Sequence, residues 1–299
     1  MRPRLFCFGL GYSAEVLVRR LLALGWTAAG TARQPERLAE IRALGADAWA
    51  FDADHPLPAD ALAGVTHLLT SVPPGAAGDP VLAGAGDAIR AACGQGLHWL
   101  GYLSTTAVYG DWNGAWVDEG SALHPTSDRA RRRVEAEAAW LALGQDTGAA
   151  VQVFRLAGIY GPGRNLLEDL RAGTVHRVIK PGQVFSRIHV DDIATVVQAS
   201  ITRPRAGGIY NVCDDDPAPP QDVITHAAAL LGIAPPPEEA YDPARLSPMA
   251  QTFWADNKRV SNRLLHDELG AELAYPSYRD GLQSLLSKRD ASSENSATT

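Results

Sequence analysis

A glycine-rich turn near the amino terminus constrains the fold of this chain more than any other feature. An apolar run at residues 5–8 leads into the pattern G-x-G-x-x-A at Gly9, Gly11 and Ala14, and an amphipathic segment follows. Strand, tight turn and helix in this order let the amides at the helix start bind the phosphates of a dinucleotide. The alternative is an ordinary glycine turn of an α/β protein. The favoured interpretation predicts a dinucleotide site at Gly9, Gly11, Tyr12, Ser13 and Ala14.

Strand-like and helix-like segments alternate through the first half of the chain. The apolar runs predict strands at residues 5–8, 27–31, 48–51, 67–70, 99–104 and 151–156. Between them, the spacing of apolar residues predicts helices at 14–24, 35–44, 80–93 and 127–143. Such alternation is typical of α/β proteins with right-handed crossovers, and it predicts a Rossmann-type, doubly wound parallel sheet.

The pattern loosens after about residue 165. Strands are predicted at 178–187 and 209–212 and a helix at 191–202, with loops at 214–220 and 235–237. We therefore expect a dinucleotide-binding domain at 1–165 and a smaller, partly interleaved C-terminal substrate domain at 166–287. Residues 186–213 would partly return to the first sheet. The polar end, 288–299, is predicted to be disordered.

Composition and net charge argue against several classes of function. The net charge of −7 gives no electrostatic reason to expect nucleic acid or an anionic membrane as a partner. No apolar run is long enough to span a bilayer. The three cysteines lie far apart, which favours core thiols in a reducing, cytoplasmic compartment, and the eight scattered histidines indicate no metal site. A small-molecule substrate is expected, with monomer and homodimer both open.

The end of the second predicted strand indicates which dinucleotide is bound. In proteins of this fold that bind NAD, a carboxylate at this point bonds the adenosine ribose. Here the region contains Thr31 and Arg33, and no carboxylate occurs before Glu36. A guanidinium at Arg33 can instead bind a 2′-phosphate, so we predict NADP, with NAD as the second choice. The alternative is that Arg33 lies on a solvated loop.

Several further motifs occur in an order that resembles a known family. They are LSTTAVYG at 103–110, RLAGIYGP at 155–162, RIHVDD at 187–192 and IYNV at 209–212. With the glycine turn, they make nearly the whole chain similar to the extended short-chain dehydrogenases/reductases of the NAD-dependent epimerase/dehydratase type. The segment NKRVSN at 257–262 further resembles an atypical branch of that family.

The resemblance implies roles for individual residues. Thr105 matches the family's catalytic serine or threonine, which would donate a hydrogen bond to the reacting oxygen. Asp52 matches a position that usually meets the adenine. The stretch after the fourth strand matches one that lines the ribose of the cofactor, namely Ser71, Val72 and Pro73.

The family's Tyr-x-x-x-Lys pair is missing from the next helix. No tyrosine lies between Tyr109 and Tyr160, and the matching positions hold Arg129 and Arg133. An arginine at 133 can still bond ribose hydroxyls. An arginine at 129 cannot exchange a proton at neutral pH as a tyrosine can. Arg129 either binds an anionic group or belongs to a solvated basic face.

Other protonatable groups are weaker candidates. Tyr109 and Tyr160 belong to Tyr-Gly pairs, for which core packing is the better interpretation. His189 is expected to pack at the domain junction, with Asp191 or Asp192 near the start of the next helix. Arg164 is a candidate substrate contact on a loop.

Two functional hypotheses remain open. The first is an NADP-dependent oxidoreductase or epimerase/dehydratase-like enzyme for a small polar substrate, with nucleotide-linked compounds among the candidates. The second is a non-catalytic NADP(H)-binding protein that senses redox state.

Overall fold

The computed structural model describes the backbone of residues 2–296 and the side chains of residues 2–287. The strands, in chain order, are β1 (Arg4–Phe8), β2 (Thr27–Ala32), β3 (Asp47–Ala50), β4 (His67–Thr70), β5 (Trp99–Thr105), β6 (Trp116–Val117), β7 (Ala150–Leu156), β8 (Gly158–Tyr160), β9 (Arg177–Ile179), β10 (Arg187–His189), β11 (Gly208–Val212), β12 (Glu238–Ala240) and β13 (Arg259–Val260). The α-helices are α1 (Tyr12–Ala23), α2 (Pro35–Ala43), α3 (Pro80–Cys93), α4 (Asp128–Thr147), α5 (Leu166–Arg171), α6 (Val190–Thr202), α7 (Pro220–Leu230), α8 (Pro248–Ala255), α9 (Arg263–Asp267) and α10 (Tyr278–Ser296). Short 3-10 helices cover Thr106–Tyr109 and Pro243–Arg245.

A seven-stranded sheet forms the centre of the molecule. Its order is β3-β2-β1-β4-β5-β7-β11, and all its neighbouring strands are parallel. The predicted α/β class and Rossmann-type sheet are thereby confirmed. The strand order reverses direction between β1 and β4, and in doubly wound sheets ligands bind in the crevice beyond the carboxyl ends of the strands at this point.

Both faces of the sheet are covered by helices, as strand β1 shows. Leu5 and Cys7 join one apolar cluster with residues of α1 and α6, whereas Phe6 and Phe8 join a second cluster with residues of α3 and α4. All four side chains are fully buried. A strand buried on both sides reads as a continuous apolar run, which is why the sequence located β1 so clearly.

The second lobe packs around its own apolar cluster. Residues of α5, α7 and α10 form that cluster, and the pairs β8–β10 and β9–β12 lie beside it. Strand β11 pairs with β7 at the edge of the central sheet. The interleaving of the two domains stays a prediction. The domain limits at 165 and 287 stay a prediction.

One predicted element is wrong. The segment 178–187 is not one strand but the separate strands β9 and β10, because a turn at Lys180, Pro181 and Gly182 interrupts it. Pro181 has no amide proton for a strand ladder, and Gly182 adopts a φ of +77° that ends an extended chain. The predicted disorder of residues 288–299 stays a prediction, although the described backbone continues helix α10 to Ser296; residues 297–299 lie outside the described residues.

Within residues 2–296, no helix combines the length and apolar character that crossing a bilayer requires.

Candidate dinucleotide and substrate cleft

Hydrogen bonds to residues at the ends of two neighbouring strands hold the glycine turn in place. The Gly9 amide donates to Thr31 Oγ1 at the end of β2 (2.9 Å), and Ser71 Oγ, just after β4, donates to the Gly9 carbonyl (2.5 Å). Gly9 has a φ of +71°, and an added Cβ would lie 2.9 Å from Val72 Cγ2. The predicted residues Thr31, Ser71 and Val72 therefore come together at this turn, where they hold its backbone in place.

The turn leaves open the space that a pyrophosphate needs. A Cβ added at Gly11 would meet no atom closer than the Gly9 carbonyl oxygen at 3.8 Å. Gly11 is the N-cap of α1, and no side chain caps the amides of that first turn. Ala14 is buried, so the helix lies close to the sheet. The geometry fits a dinucleotide pyrophosphate bound at the start of α1.

The residue that follows β2 is Arg33, whose charged side chain has no described polar partner. Arg33 is exposed, and no hydrogen bond or ion pair to it is found among residues 2–287. The neighbouring Arg37 differs, because it donates to the Leu10 carbonyl and to Glu15. Thus Arg33 is the cation at this edge that could meet a 2′-phosphate without breaking a contact within the protein.

At Asp52 and Pro73 the structure gives less evidence of a ligand site than at the glycine turn. One Asp52 carboxylate oxygen accepts the amides of Asp54 and His55 and lies 2.8 Å from the His55 ring nitrogen. The hydrogen bond from His55 lowers the pKa of Asp52. The adenine and ribose contacts of Asp52 and Pro73 stay predictions.

A cleft of about 740 Å³ runs from the start of α1 across the carboxyl end of β5 to the second lobe. It brings together residues that are far apart in sequence. Its lining includes the predicted residues Gly11, Tyr12, Ser13, Ser71, Thr105, Arg129 and Arg133.

Thr105 presents a hydroxyl group to this cleft. It ends β5 and caps the following 3-10 helix, where its Oγ1 accepts the amide of Ala107 at 3.2 Å. Because the oxygen is the acceptor in that contact, the hydroxyl proton is available to another group. The position therefore suits the hydrogen-bond donor that the resemblance implies.

Arg129 and Arg133 lie on one face of α4 and both line the cleft, but their surroundings differ. Arg133 is buried and donates to the Leu103 carbonyl (2.7 Å) and the Tyr102 hydroxyl (3.1 Å). Arg129 is exposed. Arg133 thus holds the end of β5 in place, while the Arg129 guanidinium can move toward a ligand.

A buried polar network lies behind Thr105. Glu137 forms an ion pair with Arg155 (2.8 Å) and accepts from Ser104 Oγ (2.5 Å). Arg155 also donates to the Tyr109 hydroxyl, which donates to Asn211. Burial raises the pKa of Tyr109 to about 12. Tyr109 is therefore a packing and network residue, in agreement with the sequence interpretation.

His189 and the hydroxyl oxygen of Tyr160 are also buried. Burial, together with the Asp214 carboxylate, raises the pKa of Tyr160 above its usual range. His189 is fully buried, and its Nδ1 accepts the amide of Asp191 at the start of α6. The predicted helix start is thus capped by His189, whereas Asp192 accepts the amides of residues 274 and 275.

The cleft is strongly cationic although the chain carries a net charge of −7. Its described lining holds one carboxylate, Asp256, against the cations Arg129, Arg133, Arg164, Arg187 and Lys258. Sequence reasoning missed Arg187 and Lys258 as cleft residues, because chain folding alone brings them to β5. Among the described residues, no group of three or more histidines, cysteines or carboxylates is arranged to hold a metal ion.

The doubly wound sheet, the open start of α1 and the cleft beyond β5 define the architecture of an extended short-chain dehydrogenase/reductase. The sequence matches the profile of the NAD dependent epimerase/dehydratase family over residues 9–213, and the chain belongs to that family.

Two similar proteins extend over nearly the whole chain. A solved structure of a conserved protein of unknown function from Silicibacter pomeroyi DSS is 52% identical, covers 96% of this chain and 99% of its own, and superposes with a TM-score of 0.89. Protein YeeZ of Escherichia coli K12 is 26% identical over an alignment of 291 positions that covers 90% of this chain and 94% of that protein.

A more distant structure shares the fold. The dTDP-glucose 4,6-dehydratase of Bacillus anthracis in complex with NAD is 15% identical, covers 98% of both chains and superposes with a TM-score of 0.74.

Proposed function

We propose that this protein is an NADP(H)-dependent oxidoreductase or epimerase/dehydratase-like enzyme that acts on a small, anionic substrate. One observation carries the proposal: the open start of α1, Thr105 and cations of the second lobe line a single cleft. A dinucleotide at the first position and a substrate at the last would meet beside Thr105.

Arg33 supports the preference for NADP. Its exposed guanidinium lies where a carboxylate would bond the ribose hydroxyls of NAD, and none of its described neighbours neutralises it. A 2′-phosphate supplies the charge complement. The family and the Bacillus anthracis complex both involve NAD, so NAD remains the second choice.

Different residues of the chain would bind the cofactor, contact the reacting oxygen and bind the substrate. The amides at the start of α1 would bind the pyrophosphate, and Thr105 would donate a hydrogen bond to the reacting oxygen. Arg164 and Arg187, which also line the cleft, would bind the negative charge of the substrate. The nicotinamide, when bound, supplies hydride transfer.

Known relatives of this fold indicate a candidate substrate class. The structure of MoeE5 with UDP-glucuronic acid and NAD covers 97% of this chain at 20% identity. A nucleotide-linked sugar carries the negative charge that this cleft would attract, and it is therefore the first class to test.

The second candidate is a non-catalytic NADP(H) sensor. Arg129 favours it, since an arginine at that position cannot exchange a proton at neutral pH. The open cleft favours the enzyme instead, because a sensor needs no cationic space beyond the nicotinamide. Arg129 is exposed and lines this cleft.

A metabolite screen that follows NADPH absorbance tests the proposal. We expect turnover with an anionic substrate and a loss of about 100-fold or more in kcat for Thr105→Ala. Thr225→Ala, an exposed hydroxyl on α7, is the matched control and should keep full activity. Turnover that survives in Thr105→Ala would remove Thr105 from the mechanism. Binding of NADPH with no turnover in the screen would favour the sensor.

A further inference from the structure

The proposed reaction needs a group that exchanges a proton, and the tyrosines of the cleft do not suit the task. Tyr12 donates its hydroxyl to the Pro162 carbonyl (3.0 Å), and burial raises its pKa. The Tyr160 hydroxyl is buried, and its pKa is raised further. Both phenols therefore hold their protons more tightly than a free tyrosine. The four arginines of the lining do not titrate near neutral pH.

Lys258 is the remaining cation of the lining. The exposed fraction of its side chain is 11%. Its Nζ donates to the Gly110 carbonyl at 2.9 Å and lies 3.5 Å from Asp256 Oδ2. An ammonium group has three protons, so one is left after these two contacts. Gly110 directly follows the 3-10 helix that Thr105 caps, and Thr105 and Lys258 line the same cleft.

The segment that carries Lys258 is fixed to both lobes. Asn257 accepts amides of the first lobe at Trp112 and Gly114 through its carbonyl, and its side chain contacts Gly182 and Val184. Strand β13 follows at once and pairs with β6. A side chain on such a support is held in place before any ligand arrives, which is what proton transfer requires.

Electrostatics favour a titratable Lys258. Burial lowers the pKa of the Lys258 ammonium, and the carboxylates of Asp256 and Asp111 oppose that effect. The other charged groups that line the cleft are Arg129 and Arg133 from α4, Arg164 from the loop before α5, and Arg187 from β10.

We propose that Lys258 gives a proton to the substrate oxygen and takes one back, the role that Arg129 cannot fill. This inference rests on the proposed function. In the reduction of a carbonyl, the carbon receives a hydride from the reduced dinucleotide, and the C=O π electrons move to the oxygen. The oxygen forms its O–H bond with the Nζ proton of Lys258. The products are an alcohol, the oxidised dinucleotide and a neutral amine, which solvent reprotonates.

The lysine content of the chain allows a direct test without a substrate. The sequence has three lysines, Lys180, Lys258 and Lys288, so lysine-selective isotope labelling gives three side-chain NMR signals. Lys258→Arg assigns the signal of interest. We expect Lys258 to titrate at lower pH than a free lysine in the protein without ligand.

The two redox states of the cofactor then serve as probes. The nicotinamide ring is positively charged in NADP⁺ and neutral in NADPH. If Lys258 faces the reacting centre, its titration midpoint should be about one pH unit or more lower with NADP⁺ than with NADPH. The signals of the other two lysines serve as internal references in both complexes. Binding of both dinucleotides with an unchanged Lys258 midpoint would overturn the inference alone. Absence of binding, measured by calorimetry, would overturn the proposed function, and the inference with it.

Variants of Lys258 distinguish the loss of a transferable proton from the loss of the positive charge. In a reaction found by the NADPH screen, Lys258→Arg keeps the positive charge and should still lose about 100-fold or more in kcat, with NADPH affinity retained. Lys180→Arg is the matched control and should retain activity. Full activity of Lys258→Arg contradicts the inference. If kcat falls by about 100-fold in Asp256→Asn but not in Lys258→Arg, Asp256 transfers the proton, and the inference is likewise contradicted.

Discussion

The buried ion pair between Glu137 and Arg155 allows a quantitative test of how the site is supported. Both side chains are 4% exposed, and Arg155 donates to Glu137 through Nε and Nη2. Glu137→Met leaves the Arg155 charge buried with the Tyr109 hydroxyl as its remaining side-chain hydrogen-bond partner among the described residues. Removing one member of a buried pair costs about 3–5 kcal/mol of the free energy of unfolding. Because Glu137 also accepts from Ser104, the neighbour of Thr105, the end of β5 should loosen too.

The double variant distinguishes a charge effect from simple loss of packing. Glu137→Met with Arg155→Met removes both charges and keeps the apolar volume, and such replacements are often close to neutral. We therefore expect the double variant to be more stable than Glu137→Met alone. Asp87→Asn is the control, because the Asp87–Arg90 pair is exposed and should contribute about 0.2–1 kcal/mol at most.

Urea unfolding followed by circular dichroism measures these differences. The order of stability should be wild type, then the double variant, then Glu137→Met. If the double variant is as unstable as the single one, the cost does not come from an uncompensated charge, and the reasoning is refuted.

Two further predictions concern the pH dependence of stability. Burial, with a smaller contribution from His98, lowers the pKa of His67 to about 4. The unfolded chain therefore binds the extra proton between pH 6.5 and 4, so His67 lowers the free energy of unfolding by up to about 3 kcal/mol over that range, a contribution that His67→Phe removes. Equal acid sensitivity of both proteins would contradict this. Burial raises the pKa of Asp214 to about 8, against the opposing effect of Arg187. Here the folded state holds the proton, so stability falls as pH rises from about 4 to 8. Asp214→Asn should be more stable than the wild type at pH 8, by up to about 5 kcal/mol, and nearly equal to it at pH 4. An Asn variant that loses stability at pH 8 would refute the assignment.

The sequence predicted the parts of the fold whose residues interact locally. Helix α3 and strand β4 occupy the predicted positions, since an apolar pattern between proline, glycine or polar residues defines both ends. Most other bounds differ by one or two residues. The failure at 178–187 has a local cause as well, because Pro181 and Gly182 signal a turn that the apolar pattern alone conceals.

The candidate site was less accessible from the sequence. Thr105 and Arg133 follow from motif order, but Lys258 does not, because the contact of its Nζ with Gly110 joins residues 148 positions apart. Arg129 and Arg133 are equivalent in sequence, and only burial separates the anchored side chain from the exposed one.

Calorimetric titration with NADPH and NADH tests the central claim, a dinucleotide bound at the glycine turn with its 2′-phosphate on Arg33. A charged hydrogen bond contributes about 1.5–3 kcal/mol, so Arg33→Ala should weaken NADPH binding by about tenfold or more and leave NADH binding nearly unchanged. Arg171→Ala, exposed on α5, is the control for the loss of a surface charge. Equal losses of affinity for both dinucleotides in Arg33→Ala would contradict the account.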